Sequence, residues 1–152
     1  MIRGFSTIEL VITNVIILLL IFIGLSIYSS NIEYSKLGVF ITNVKYIKIA
    51  SEKYYIDKAR YPNSIVDLFT DPYVEYLPKK QAPYFIYSPW QTQITIHQLR
   101  KPNKVLLLLY LENIRGSTRI VPKYIEQKMK QELYFYKYYR NHMVFIISYV
   151  LE

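Results

Sequence analysis

The chain has 152 residues, of which 52% are hydrophobic and 20% are charged. This length predicts about one domain, and the composition excludes a disordered polar chain. Because the chain contains no cysteine, a disulfide framework, a thiolate nucleophile and an iron–sulfur cluster are excluded. The net charge of +8 suits phosphate, anionic lipid or an acidic partner protein, and it also serves solubility alone.

The first predicted element is an apolar helix near the amino terminus. The 24 residues from Phe5 to Tyr28 make about 36 Å of helix, enough to cross a hydrocarbon core of about 30 Å. Four residues interrupt the apolar sequence between positions 10 and 27: Thr13, Asn14, Gly24 and Ser26. The only other long apolar run, Val105–Leu111, is too short to cross a bilayer.

Three interpretations compete for this segment: a cleaved secretory signal, a plain membrane anchor and a prepilin-type signal. A secretory signal would place its cleavage site near Gly24-Leu25-Ser26 and the mature terminus near Ile27. That interpretation leaves Glu9 unexplained, because an acidic side chain at the rim of an apolar helix costs free energy unless it finds a partner.

The segment Gly4-Phe5-Ser6-Thr7-Ile8-Glu9-Leu10, preceded by Arg3, resembles the start of type IV prepilins and pseudopilins. The resemblance implies that a prepilin peptidase cuts between Gly4 and Phe5 and that the new amine of Phe5 is methylated. It also implies that Glu9 neutralises the amino-terminal charge of a neighbouring subunit during assembly. The sequence departs from the common pattern at Ser6-Thr7 and Asn14, and it lacks the proline that kinks many pilin helices.

The resemblance implies an α+β, pilin-like fold, in which a long amino-terminal helix packs on a small antiparallel β-sheet head. Residues 1–4 are then a prepilin leader, and residues 5–28 are the transmembrane and assembly half of the helix. Residues 29–60 are its amphipathic half, and residues 61–152 are the globular head. The implied location is the inner membrane, with a single span and the head outside the cytoplasm, and then a pilus or periplasmic pseudopilus.

The residues after the span predict the rest of the long helix. Apolar residues recur at steps of three and four, which indicates an amphipathic helix ending near Lys58: Leu37, Phe40, Ile41, Val44 and Ile47. Tyr61-Pro62 stops it and is similar to the start of the connecting loop in many pseudopilins. A short helix is predicted from Ser64 to Phe69.

The second half of the chain predicts strands with one more helix. Strands are expected at Tyr84–Tyr87, Gln93–Leu99 and Lys104–Leu111, the last two paired about a turn at Arg100–Asn103. After Pro122, the spacing of Ile125, Met129 and Leu133 predicts a short helix. A second hairpin is expected from Tyr134–Tyr139 and Met143–Leu151, with a helix continuing through Tyr139 as the alternative.

The sequence contains few groups that carry chemistry. His97 and His142 stand in different segments, so we expect surface or packed residues, and four glycines provide no phosphate-binding loop. Major pseudopilins often hold calcium in a loop between late strands, but the corresponding turn here, Arg100–Lys104, is basic. We therefore expect no metal, no cofactor and no enzymatic activity.

The segment Tyr134–Arg140 interleaves aromatic and basic side chains, a mixture that binds single-stranded nucleic acid. Half of these aromatic residues are instead expected to face the core, because they favour strands. If DNA is bound, the candidate contacts are Arg115, Arg119, Lys123, Lys137, Arg140, Tyr136 and Tyr138.

The functional expectation is a structural subunit, a minor pilin or pseudopilin of a type IV pilus or type II secretion filament. Its implied partners are other pilin subunits, prepilin peptidase, an inner-membrane assembly platform and membrane lipid. One alternative is a competence pilin that contacts DNA through its basic, tyrosine-rich carboxy-terminal face. Another is an exported soluble domain with an ordinary signal peptide.

Overall fold

The computed structural model describes residues 6–112, 123–140 and 142–151. The chain divides into two compact units, residues 1–35 and residues 36–152. The helix α1, Thr7–Lys58, contributes residues to both units. The predicted cleavage residues Gly4 and Phe5 lie outside the described residues, as do Arg115 and Arg119.

The described part of the first unit is mainly the apolar part of α1. Its side chains are exposed on every side of the helix, including large ones such as Leu20 and Phe22. A helix that is apolar on every side is typically buried in a membrane or among other helices. Within the described part of the chain, α1 is the one helix long and apolar enough to span a membrane.

In the second unit, the remaining part of α1 buries one stripe of side chains. Leu37, Phe40, Val44 and Ile47 are buried, which confirms the predicted amphipathic face, and the stripe continues through Ala50 to Tyr54. The helix ends at Lys58, as predicted. Ala59 follows with φ +54° and donates its N–H to the carbonyl of Tyr55, which closes the last turn.

The segment between α1 and the sheet contains two short helices and a 3₁₀ turn at Lys79–Gln81. The helix α2, Asp67–Thr70, begins three residues later than the predicted Ser64. The predicted strand Tyr84–Tyr87 is wrong, because Ala82–Ile86 forms the helix α3. Pro83 occupies its first turn, where a missing N–H is tolerated, and so short an apolar run has no periodicity that separates strand from helix.

Four antiparallel strands form the sheet of the head, which confirms the predicted α+β class. They are β1 (Ile94–Lys101), β2 (Lys104–Glu112), β3 (Phe135–Tyr139) and β4 (His142–Leu151), in the spatial order β1-β2-β4-β3. Both predicted hairpins are present. The turn of the first lies between Lys101 and Lys104, and Asn103 takes the left-handed conformation there at φ +67°.

The helix α4, Lys123–Glu132, precedes β3 and confirms the predicted short helix. Ile125 and Met129 are buried in the main core beside the stripe of α1, while Leu133 is partly buried against it. The continuing helix through Tyr139, the alternative to the second hairpin, is not formed, because the chain enters β3 at Phe135.

Both faces of the sheet carry apolar side chains. On the inner face, Leu107, Leu109 and Phe145 join the main core with α1 and α4. On the outer face, Leu106, Leu108 and Val144 form a second, smaller cluster. One extra residue interrupts the regular pairing of β4 at Ile147 and of β3 at Tyr136, so each strand has a bulge there.

Candidate assembly site and basic head surface

The first turn of α1 is closed by a reciprocal pair of hydrogen bonds between Ser6 and Glu9. The N–H of Ser6 donates to Oε2 of Glu9 at 2.8 Å, and the N–H of Glu9 donates to Oγ of Ser6 at 3.3 Å. This is a capping box, which satisfies amide groups that a helix start otherwise leaves unpaired. The sequence reasoning missed it, although Ser-x-x-Glu at the head of an apolar run is its signature.

The capping box holds the carboxylate of Glu9 at the first turn of α1. A carboxylate has two oxygens and accepts several hydrogen bonds, so the bond from Ser6 leaves capacity for a further donor. The start of a helix also favours negative charge. The arrangement is therefore suited to accept an ammonium group from a neighbouring chain while it caps its own helix.

Two polar residues, Thr13 and Asn14, follow within the apolar segment, and they differ in their hydrogen bonding. The hydroxyl of Thr13 donates to the carbonyl of Glu9 at 2.8 Å, a bond made inside the helix. Asn14 is exposed, and its amide has no hydrogen bond within the described residues. In a lipid environment such an amide gains from a partner on another helix.

The outer face of the head concentrates cations around two tyrosines, defined here as the basic patch: Lys101, Lys104, Tyr136, Lys137, Tyr139 and Arg140. Lys101 and Lys137 place their ammonium groups 5.3 and 5.4 Å from the ring centre of Tyr136. Lys137 and Arg140 lie 5.5 and 5.4 Å from the ring centre of Tyr139. The extra residue in β3 brings Tyr136 and Lys137 to the same face of the sheet.

The positive charge of the basic patch affects the pKa of the Tyr136 hydroxyl. A hydrogen bond from Lys101, assisted by the charges of Lys101, Lys137 and Lys104, lowers the pKa of Tyr136 from its ordinary value. Lys101 and Lys104 were not among the predicted contacts, because they belong to the β1–β2 hairpin, far away in sequence. The basic character of the turn Arg100–Lys104 was the available signal.

The structure separates Tyr138, another predicted contact, from this patch. Tyr138 donates its hydroxyl to Glu126, and its ring lies 5.1 Å from that of Phe135. The ammonium of Lys130 lies 4.7 Å from the ring centre of Tyr138 and also pairs with Glu126. Tyr138 therefore joins β3 to α4 on the inner face, whereas Lys123 begins α4.

Both histidines contact the same side chain, although they are far apart in sequence. The ring of Tyr110 lies 4.7 Å from that of His97 and 6.1 Å from that of His142. The three come from adjacent strands of the outer face, so the sheet pairing creates the cluster. Among residues 6–112, 123–140 and 142–151, no group of three His, Asp or Glu side chains is arranged to hold a metal ion.

No family model, no curated protein and no solved structure matches this chain. The resemblance to prepilins therefore rests on the sequence features named above, residues 4–10 with the apolar run that follows them and Tyr61-Pro62. The α+β architecture stands independently of it, on the pairing of the four strands and the core they share with α1.

Proposed function

We propose that the chain is a structural subunit, a minor pilin or pseudopilin, of a type IV pilus or type II secretion filament. In this proposal it is cleaved after Gly4, methylated on Phe5, held in the inner membrane by one span and assembled through α1. The observation that carries the proposal concerns the first part of α1. Its apolar side chains are exposed on every side, and the carboxylate of Glu9 caps the start of the helix.

The physical argument concerns what surrounds the apolar part of α1 and the charged groups at its start. The apolar part of α1 cannot stay in water, so lipid covers it before assembly and other α1 helices cover it afterwards. Inside such a bundle, the carboxylate of Glu9 and the amine of Phe5 from a neighbour each need an opposite charge. Removing either group would leave the other buried and unpaired.

Processing is the direct test of this proposal. The full chain is expressed with a prepilin peptidase, and the mature amino terminus is determined by mass spectrometry. We expect methylated Phe5, and we expect Gly4→Val to leave uncut precursor in the membrane. Gly24→Val is the matched control, because open space surrounds Gly24 and the helix accepts the side chain there. A mature terminus near Ile27 would exclude a pilin and support a secretory signal.

A second candidate function, contact with single-stranded DNA, is favoured by the basic patch. Its cations lie close to the rings of Tyr136 and Tyr139, at 5.3 Å for Lys101 and 5.4 Å for Arg140, and such a mixture suits phosphates beside stacked bases. The supported surface is thus Lys101, Lys104, Lys137 and Arg140 with the two tyrosines, while Tyr138 is engaged with Glu126.

This candidate is tested with the full chain in lipid nanodiscs and an oligothymidine probe. We expect affinity to fall steeply with salt, and the logarithmic slope to decrease by about 0.7 for each phosphate contact removed. The variant with Lys101→Ala and Lys137→Ala is compared with one carrying Lys79→Ala and Lys80→Ala in the 3₁₀ turn. Absence of binding at about 50 mM salt, or equal loss in both variants, would rule out DNA contact by this patch.

A further inference from the structure

Half of strand β4 has an open edge. β3 pairs with β4 from Tyr139 opposite His142 to Phe135 opposite Phe145, and the N–H of Ile146 then donates to the carbonyl of Tyr134. From residue 148 to residue 151, β4 pairs with β2 alone among the described residues, and Ile147 is the bulged residue before them. Alternate residues of this stretch therefore present backbone groups to the side where β3 would continue.

A groove of about 640 Å³ lies beside this part of β4. Its inner wall includes Lys48 and Glu52 of α1, and its outer wall includes Lys104 and Leu106 of β2. Tyr134 closes the end next to β3. Five residues of β4 also line the groove, Ile146 to Tyr149 and Leu151, so it lies beside the part of the strand that has the open edge.

The groove offers both components of peptide recognition by strand addition. Unpaired backbone groups of an edge strand bind an extended chain, and neighbouring pockets accept alternate side chains. Large side chains stand exposed around it: Tyr134 at 82%, Tyr149 at 63% and Leu151 at 72%. These would be covered by an added strand.

The charged side chains around the groove determine which sequences are favoured in an added strand. Lys48 and Lys104 flank it, and Lys101 pairs directly opposite Lys104. Glu52 is the acid among the described residues that line the groove, and it already accepts a hydrogen bond from Ser148 and pairs with Lys48 at 3.9 Å. The groove is therefore net basic and suits a segment that carries carboxylates.

A second copy of this chain is a poor occupant. The two edge strands of the sheet are basic, since β1 ends with Arg100 and Lys101 and β3 carries Lys137, so addition of either would bring like charges to Lys48 and Lys104. We propose that the groove binds an extended segment of a different protein, in which acidic and apolar residues alternate, by addition of a strand to residues 148–151 of β4. This site does not depend on whether the chain assembles into a filament.

Binding is measured on the full chain in lipid nanodiscs with a probe of alternating glutamate and valine, eight residues long and blocked at both ends. Because the chain has no cysteine, Leu151→Cys places a single fluorophore at the groove, and Tyr73→Cys places one on an exposed loop as the control. We expect a quencher on the probe to reduce fluorescence at position 151 and not at position 73. A probe of alternating lysine and valine is expected to bind at least about fivefold more weakly.

Backbone pairing is tested with two further probes, N-methylated at the odd or at the even positions. Strand addition predicts that one of them loses about tenfold or more in affinity while the other binds normally, because alternate amides face the edge. Lys104→Glu is expected to weaken the acidic probe about threefold to fivefold at low salt, and Lys80→Glu to leave it unchanged.

Four results would overturn the proposal: equal binding of the two N-methylated probes, equal quenching at both labels, no binding at millimolar probe, or self-association of the chain through position 151 without any probe.

Discussion

The hydroxyl of Tyr61 lies 2.7 Å from the hydroxyl of Ser148, and both side chains are buried. Ser148 donates its single proton to Oε1 of Glu52 at 3.1 Å, so the phenol of Tyr61 must donate to Ser148. The chain of bonds links the first residues after α1, the last strand of the sheet and α1 itself. Tyr61, which follows the end of α1 in the sequence, thus also contributes a hydrogen bond to the contact between β4 and α1.

Replacing the two ends of this bond is expected to have unequal effects on stability. Tyr61→Phe leaves Ser148 bonded to Glu52, so we expect a loss of about 1 kcal/mol in the free energy of unfolding. Ser148→Ala leaves the phenol buried without its partner, so we expect about 1–3 kcal/mol. Chemical unfolding of the full chain in micelles, followed by circular dichroism, measures both.

Ser51→Ala is the matched control for that experiment. The hydroxyl of Ser51 is buried and has no hydrogen-bond partner within the described residues. Its removal is expected to be neutral or stabilising, because an unsatisfied polar group is lost. If Ser148→Ala were as mild as Ser51→Ala, the bond to Tyr61 would contribute nothing measurable.

The capping box makes it possible to separate two roles of Glu9. Glutamine at this position preserves the reciprocal bonds with Ser6 but carries no charge. Glu9→Gln is therefore expected to insert and fold like the wild type and to be incorporated poorly into filaments, as is Glu9→Leu. Incorporation is measured by immunoblotting of sheared or purified filaments against the membrane pool.

Ser6→Ala is the complementary variant, because it keeps the charge and removes the side-chain half of the cap. We expect it to lose about 1 kcal/mol of helix stability and to assemble. If Glu9→Gln assembled normally and Ser6→Ala did not, the glutamate would act as a cap and not as a charge partner.

Asn14 is expected to strengthen the association of α1 helices. An amide donates and accepts, so the same residue in a second copy at the same depth is a matching partner. Asn14→Leu is expected to weaken association by about 1–2 kcal/mol, measured by energy transfer between labelled chains at varied protein-to-lipid ratios. Thr13→Val is the control, since the hydroxyl of Thr13 is bonded within its own helix. Equal association of Asn14→Leu and wild type would show that the amide has no partner.

The stability of the head is expected to fall in alkali because of Tyr76. Burial, together with the hydrogen bond that its hydroxyl donates to Asp57 at 2.9 Å, raises the pKa of Tyr76 from 10.0 to about 12. Between these values the folded chain keeps a proton that the unfolded chain releases. This contribution to stability is therefore complete below about pH 10 and is lost as pH rises through 12.

Tyr76→Phe removes that titration. We expect the midpoint of thermal unfolding to fall less between pH 9 and pH 11.5 in this variant than in the wild type. Tyr73→Phe changes an exposed tyrosine and is expected to behave like the wild type. A parallel fall in all three chains would mean that other groups account for the alkaline loss.

Local patterns predicted most of the helices and strands. The stripe of α1, the turn before Lys104 and the four-residue spacing of Ile125 and Met129 each lie within one stretch of chain, and each is confirmed. The strand predicted at Tyr84–Tyr87 is wrong because burial of Phe85 and the position of Pro83 are satisfied by one helical turn. So few residues do not distinguish the two periods.

The sequence predicted the surface of the head less well, because strand pairing determines which side chains lie next to one another there. The segment around Tyr136 was recognised as aromatic and basic, but Lys101 joins it only through the order β1-β2-β4-β3. The bulge in β3 determines which aromatic residues share a face, and it separates Tyr136 from Tyr138. No local spacing in the sequence indicates a bulge of this kind.

The strand order also has a consequence for how the head folds. Each hairpin joins neighbouring stretches of chain and can form in about 1–10 μs. The pairing of β2 with β4 must instead close a connection of about 30 residues, which delays it through loss of chain entropy. This central pairing carries buried leucines on both faces of β2. Until it forms, the first hairpin exposes these leucines, so formation of the central ladder removes surface from the head that would otherwise favour aggregation.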